Sequence, residues 1–116
     1  MEFDLEGKDL KNAYKLLSGL VTPRPIAWVN TLAENGSVNA APFSFFNVFG
    51  SQPPIIAFAP GNREPGIPKD TARNLRRTGE FVVNLANETL ADAMVACAAS
   101  LPSGVSELEH LNLATA

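Results

Sequence analysis

The feature that most constrains the fold is an apolar strand that leads into a hairpin turn. Residues 26–32 are apolar except at Asn30 and Thr31. A strand that is apolar on both faces is usually buried on both faces, as in a sandwich or a barrel. The dipeptide Asn35-Gly36 follows and readily adopts positive φ, so residues 38–42 are predicted to return as an antiparallel partner strand.

Further elements can be predicted on both sides of this hairpin. Apolar spacing and capping residues predict helices over residues 9–19, 70–78 and 87–97 and a short helical piece within 106–113, and β-rich runs predict strands within 55–59 and 80–86. Residues 43–50 are interpreted as an aromatic-rich connection with room for a helical turn, and residues 60–68 as a loop. Asp70 is the predicted N-cap of the second helix, with its carboxylate bound by the first N–H groups.

The order of these elements predicts a mainly β domain with short helices. A tight turn joins the first two strands, which favours an antiparallel or barrel-like sheet over a doubly wound parallel one. The length suits a single domain, residues 1–116. The four predicted strands, apolar on both faces, cannot close a barrel, so missing sequence or a second subunit is expected to cover them.

Composition narrows the classes of function. A net charge of −3 disfavours nucleic acid as the primary partner. A single cysteine, Cys97, excludes an internal disulfide framework and fits a reducing cytoplasm. The acidic start has no signal-peptide pattern, and no apolar run reaches the roughly 20 residues that a membrane helix needs.

The common catalytic sets are absent from the sequence. His110 is the one histidine and is expected to be exposed, whereas Cys97 is expected to be a small core residue. One histidine without a cysteine cluster disfavours a metal site, and there is no Gly-rich phosphate loop. An enzyme built on this chain would therefore rely on a cofactor for its chemistry.

Two segments could bind a ligand. Residues 40–47 place aromatic rings, a hydroxyl and an amide just past an apolar strand, which suits a flat and mostly apolar ligand; a strand end that packs on the core explains the same pattern. Lys69, Asp70 and Thr71 open a helix and would suit a phosphate, although most such capped helices are purely structural. Arg24, fixed between two prolines, either points at an anion or is a solvated surface charge.

Several motifs occur together in an order that resembles one family. They are RPIAWVNT at residues 24–31, NAAPFSFFN at 39–47, Pro53-Pro54, KDT at 69–71 with Arg73-Asn74, and TGEFVVN at 78–84. From about Tyr14 to Leu113, the chain resembles the flavin reductase-like, FMN-binding split-barrel family. The resemblance implies an FMN-binding split β-barrel, antiparallel and Greek-key-like. It also implies that residues 1–116 are the N-terminal portion of the family domain, incomplete at the C-terminal end.

The same resemblance implies a function and a site. It implies a homodimer with FMN near the subunit interface, hydride transfer from NADH or NADPH to the flavin, and an unidentified electron acceptor. It requires no catalytic side chain, and the residues themselves indicate no metal. Carried over by position, the residues that bind FMN would be Asn30 and Thr31 at the first strand, Pro42, Phe43, Ser44 and Asn47 along the isoalloxazine, and Lys69, Asp70 and Thr71 at the phosphate. The alternatives are a flavin-binding electron carrier and a non-catalytic dimeric module, both without reductase activity.

Overall fold

The computed structural model describes residues 1–114 as a mainly β chain with short helices. The strands are β1 (Ala27–Leu32), β2 (Val38–Phe43), β3 (Phe46–Ser51), β4 (Pro54–Phe58), β5 (Asn62–Glu64), β6 (Ile67–Pro68) and β7 (Val82–Asn84). The helices are α1 (Ala13–Leu20), α2 (Asp70–Thr78), α3 (Ala91–Ala96) and α4 (Glu107–His110), with 3₁₀ turns at Leu10–Asn12 and Glu88–Leu90. No helix in this part of the chain has both the length and the apolar character needed to cross a membrane.

The predicted hairpin forms the centre of the fold. β1 lies between β2 and β7 in an antiparallel sheet of order β2-β1-β7. Gly36 adopts a φ of 84° in the turn, and the register pairs Leu32 with Val38. A positive φ at this position costs glycine little, so the Asn-Gly signal and the observed turn agree.

Apolar side chains cover both faces of this central sheet. On one face, Ala27 and Val29 pack with Phe43 from β2 and with side chains from β3, β4 and β7. On the other face, Trp28 packs with Cys97 and with residues from the C-terminal part of the chain. The strand is therefore buried on both faces, as its composition predicts, and successive residues of β1 belong to opposite cores.

The structure contains more strands than the four predicted from sequence. Residues 43–50, interpreted as a connection, include β3, which pairs with β4 around an irregularity between Val48 and Gly50. Residues 60–68, interpreted as a loop, contain the small hairpin β5–β6. β3 lacks the alternation of apolar and polar residues that marks a half-buried strand, and the second hairpin is rich in proline and glycine, so local pattern disfavoured both.

The C-terminal part of the chain covers the free edge of β2. Ser106 Oγ donates a hydrogen bond to the Val38 carbonyl at 2.5 Å, and the Ala40 N–H donates to Glu107 Oε2 at 2.8 Å. These side chains bind backbone groups that an edge strand would otherwise expose. The start of α4 therefore holds the strand that leads into the predicted ligand segment.

Candidate functional site

The candidate site is a cavity of about 130 Å³ between the end of β2, the start of α2 and the segment that follows α3. It brings together five residues predicted to bind a cofactor: Pro42, Phe43, Lys69, Asp70 and Thr71. The sheet edge supplies the first two and the start of α2 supplies the rest. Arg63, Cys97 and Glu107 also line the cavity, although the sequence did not single them out as site residues.

The N-terminus of α2 opens at this cavity without a capping side chain. Lys69 is the N-cap residue, and no side-chain oxygen accepts a hydrogen bond from the first turn. The prediction that Asp70 caps the helix was wrong. Its carboxylate instead pairs with Arg63, at 3.0 Å, and with Arg73 one turn further along α2. Because a helix start leaves several N–H groups without intrahelical partners, this end can still accept an anion.

Lys69 places a positive charge at the rim of the cavity. Its Nζ lies 5.5 Å from the centroid of the Phe43 ring, within the range of a cation–π contact. The two salt bridges found within residues 1–114 both join an arginine to Asp70, so Lys69 forms no salt bridge there. The ammonium and the helix N-terminus therefore act in the same direction, and both favour a negatively charged ligand.

Two buried amide–hydroxyl pairs hold α2 against the central hairpin. Asn39 Nδ2 donates to Thr71 Oγ1, and Asn74 Nδ2 donates to Thr31 Oγ1, each at 3.1 Å. All four side chains are buried, so each pair satisfies polar atoms that would be costly to leave without partners. The Thr31 hydroxyl is therefore engaged with α2. The sequence pattern did not indicate a structural role for Asn39 or Asn74, although Thr71 and Asn74 share one helix face at a spacing of i, i+3.

Glu107 is a buried carboxylate in the wall of the cavity. Burial raises its pKa above the ordinary range, the hydrogen bonds from the Ala40 N–H and from its own backbone lower it, and the nearby Asp70 raises it while Arg63 lowers it. A buried carboxylate with a raised pKa in a cavity is a candidate functional group. Its signal in the sequence was weak, because it lies in a short acidic segment 67 residues away from its partner Ala40.

Cys97 also lines the cavity and is almost fully buried. Burial raises the pKa of its thiol, an effect that the Trp28 side chain partly opposes and the charge of Glu107 reinforces. A thiol that is buried and has a raised pKa is a poor nucleophile. The structure thus confirms the prediction that Cys97 is a core residue, and His110 is exposed as predicted.

The structure places the other predicted binding residues outside this cavity. Asn30 and Thr31 both border a groove of about 700 Å³, and the buried Oδ1 of Asn30 has no hydrogen-bond partner among residues 1–114. Ser44 Oγ accepts a hydrogen bond from Arg24 Nη2 at 3.3 Å. Asn47 lies in β3 at an apolar groove of about 450 Å³. A single copy of this part of the chain therefore does not gather all nine residues into one pocket.

Arg24 has neither of the two predicted roles. Its guanidinium donates to the carbonyl oxygens of Ser18, Val21 and Ser44 and lies 5.2 Å from the centroid of the Phe45 ring. These contacts join the end of α1 to the link between β2 and β3. Arg24 is therefore a structural residue that fixes the segment at Ser44.

Comparison with known proteins identifies the family. The flavin reductase like domain matches residues 19–116. The uncharacterized protein YwrF of Bacillus subtilis is 49% identical over 111 residues, which are 96% of this chain and 54% of that protein. The chain thus spans about half the length of such relatives.

Solved structures agree with the sequence match. Nitrilotriacetate monooxygenase component B from Bacillus cereus superposes with a TM-score of 0.86 at 38% identity, over 97% of this chain and 55% of that one. The 2-nitrobenzoate 2-nitroreductase NbaA of Pseudomonas fluorescens gives a TM-score of 0.78 at 36% identity, over 96% and 52% of the two chains. A flavin reductase with a split-barrel domain from Shewanella frigidimarina shares the fold with a TM-score of 0.70 at 19% identity, over 95% and 55% of the two chains. The chain has the fold of split-barrel proteins and belongs to the flavin reductase-like domain family of flavin-related oxidoreductases.

Proposed function

We propose that this chain binds FMN and forms part of an NAD(P)H-dependent flavin oxidoreductase. The observation that carries the proposal is the cavity where an uncapped helix N-terminus, the Lys69 ammonium and the end of β2 meet. Membership of the flavin reductase-like family supports a flavin as the ligand. The arrangement suits a ligand that has a phosphate at one end and a flat apolar ring at the other.

The phosphate would lie at the start of α2. Lys69 supplies a full positive charge there, and the first N–H groups of the helix supply donors. The Thr71 hydroxyl accepts from Asn39, so its own proton remains free to donate to a phosphate oxygen. The two arginines that pair with Asp70 compensate the charge of that carboxylate, which would otherwise repel the ligand.

The cavity sets a limit on which part of the cofactor it can hold. Its volume of about 130 Å³ is well below the roughly 300–1,000 Å³ of a pocket for a complete ligand of this size. The cavity would therefore take the phosphate and the chain next to it, with the ring beyond the end of β2 near Pro42, Phe43 and Ser44. Bound FMN would supply the redox chemistry, accepting a hydride from NADH or NADPH and passing electrons to an acceptor.

The proposal includes a homodimer in the cytoplasm, with the flavin near the subunit interface. Several large apolar side chains on β3 and β4 are exposed, including Val48, Phe49, Ile55 and Ile56, and Asn47 lines one apolar groove with Phe49. A second copy that covers this surface would bring residues from separate grooves near one cofactor. A single cysteine that is buried and unpaired supports a reducing compartment.

The first test is the visible absorption spectrum of the purified, desalted protein, before and after addition of FMN and then NADH or NADPH under anaerobic conditions. We expect a flavin spectrum that stays with the protein through gel filtration and bleaches when the nicotinamide is added. A retained flavin that does not bleach would favour an electron carrier or a non-catalytic module over a reductase. A colourless protein that takes up no FMN would refute the flavin proposal.

The second test addresses the phosphate end of the cavity. Lys69→Ala should weaken FMN binding by about 1–2 kcal/mol, because it removes a charge-assisted contact. Riboflavin, which has no phosphate, should lose little affinity, and the dissociation constants can be measured by quenching of flavin fluorescence. Lys15→Ala, which removes an exposed lysine from α1, is the matched control. Equal FMN affinity of the Lys69 and Lys15 variants would remove Lys69 from the site.

A further inference from the structure

Glu107 has a position that its structural role does not fully explain. The side chain is 7% exposed, and Oε2 accepts the Ala40 N–H at 2.8 Å. An ionised carboxylate can accept about four hydrogen bonds, and no side chain in the described part of the chain donates to Glu107. The carboxylate also lines the cavity at the start of α2. It therefore has acceptor capacity left for a donor inside the cavity.

The charges around Glu107 show what kind of donor fits. Asp70 from α2 and the Cys97 thiol after α3 line the same cavity, and neither group can carry a positive charge that would pair with Glu107. Arg63 from β5 and Lys69 at the start of α2 are the two cations of the lining, and Arg63 is paired with Asp70. The cavity thus has an anion-accepting side at Lys69 and a hydrogen-bond-accepting wall at Glu107. A phosphate at Glu107 would be repelled, whereas a neutral hydroxyl would be bound.

We propose that Glu107 determines specificity by accepting hydrogen bonds from the hydroxyl groups of a polyol chain, the ribityl chain of the flavin, while the phosphate lies toward Lys69. This inference rests on the proposed flavin function and adds to it the residue that recognises the part of the ligand between ring and phosphate. It also gives a reason for a negatively charged carboxylate to line a cavity in which the helix N-terminus favours a negatively charged ligand. The Ala40 N–H and the backbone of Glu107 itself hold the carboxylate, and these two bonds leave about half of its acceptor capacity for the ligand.

The test separates the ligand contact from the structural contact. Glu107→Gln keeps an oxygen that can accept the Ala40 N–H and replaces the second oxygen with an amide NH₂, which donates and cannot accept. Dissociation constants are measured for FMN, riboflavin and lumiflavin, which has neither polyol nor phosphate. We expect the variant to bind FMN and riboflavin about tenfold more weakly and lumiflavin within about twofold of the wild type, as befits loss of a hydrogen bond to a charged acceptor.

A second comparison uses the wild-type protein, so the test does not depend on folding of the variant. A flavin with an unbranched alkyl chain in place of ribityl should bind the wild type about tenfold more weakly than riboflavin does. Glu107→Gln should discriminate little between these two ligands. Glu109→Gln, which neutralises the exposed neighbouring glutamate on α4, is the matched control and should behave as the wild type.

Three results would overturn the inference. Equal affinities of the Glu107 variant and the wild type for riboflavin would show that a charged acceptor at Glu107 does not determine polyol binding, since a glutamine NH₂ can donate to a hydroxyl oxygen. Equal losses for riboflavin and lumiflavin would assign Glu107 a purely structural role. Tighter FMN binding by the variant would place the phosphate against Glu107. A wild type that binds none of the three flavins refutes the flavin function itself and this inference with it, a pattern distinct from the other three.

Discussion

The contact between α2 and the central sheet differs sharply from the β3–β4 hairpin. α2 is joined to β1 and β2 by two buried amide–hydroxyl pairs, and the side chains in those pairs are almost completely shielded from water. The β3–β4 hairpin has several large apolar side chains in solvent, with Phe49 70% exposed. One region completes its own packing within a single chain. The other presents apolar surface that its own chain does not cover.

This difference shows which part of the domain can be stable by itself. A two-stranded hairpin is marginal in water unless a hydrophobic face packs on something else. One part of β3–β4 does pack, because Phe46 and Phe58 contact the core that contains Phe43. The outward side chains have no such partner within residues 1–114. The hairpin is thus the region where a second surface would contribute most.

The largest effect is expected from a pair of phenylalanine substitutions that contrasts the two regions. Phe43 is 5% exposed and its ring centroid lies 5.5 Å from that of Phe58, so Phe43→Ala should lower the free energy of unfolding by about 3–5 kcal/mol. Phe49→Ala should lower it by less than about 0.5 kcal/mol in dilute solution, because the side chain is already in water. Urea unfolding followed by fluorescence of Trp28 measures both.

Measuring unfolding at several protein concentrations tests this first prediction further. If a second copy covers the hairpin, the effect of Phe49→Ala should grow as the protein concentration rises, because association stabilises only the folded state. The effect of Phe43→Ala should then change less, and analytical ultracentrifugation would show weaker self-association for the Phe49 variant alone. A large, concentration-independent loss for Phe49→Ala would mean that this side chain is buried within one chain and that the contrast between the regions is wrong.

A smaller effect is expected from the buried pairs under α2. Asn74→Ala leaves the Thr31 hydroxyl without its donor and should cost about 1–3 kcal/mol of unfolding free energy. Combining it with Thr31→Val should cost less than the sum of the two single changes, since both then remove the same bond. Asn12→Ala, at an exposed asparagine that caps no helix through its side chain, is the control. Additive losses would show that the two residues do not act as a pair.

Much of the central sheet could be predicted because its signals are local. The Asn35-Gly36 turn determines which strands pair, and the alternation of side chains along β1 separates Asn30 from Thr31 before any coordinates are known. In the structure Thr31 accepts a hydrogen bond from Asn74 on α2, whereas Asn30 Oδ1 has no partner among residues 1–114, although both residues border the same groove. The resemblance to a family identified both positions without distinguishing their faces. The structure supplies that distinction.

The site could be predicted only where neighbouring residues define it. Lys69 and Thr71 at the start of α2 and the strand end at Pro42 and Phe43 follow from helix and strand boundaries, and these residues do share one cavity. The contact of Glu107 with the edge of β2 joins residues 67 positions apart, whereas Asp70 pairs with Arg63, seven residues before it, and with Arg73, three residues after it. No local pattern encodes the contact of Glu107, and an aspartate at a helix start can either cap the helix or pair with an arginine one turn further along. The sequence therefore predicted an N-cap where the structure has an ion pair.

The smallest expected effect is a change in pH dependence caused by Glu107. Burial raises its pKa above the ordinary value of 4.5, with Asp70 adding to the rise and Arg63 opposing it, so folding favours the protonated form. Its contribution to stability is thus fully present below the pKa of the unfolded chain and is lost as the pH rises through the higher pKa of the folded state. Glutamine at this position stays neutral at every pH.

The unfolding free energy of the wild type, relative to Glu107→Gln, should fall as the pH is raised from about 4 to 7. Urea unfolding of both proteins at several pH values measures this slope, and any constant cost of the substitution cancels from it. A difference that stays flat across this range would show that Glu107 titrates alike in the folded and unfolded chain, and that the wall of the cavity is open to water.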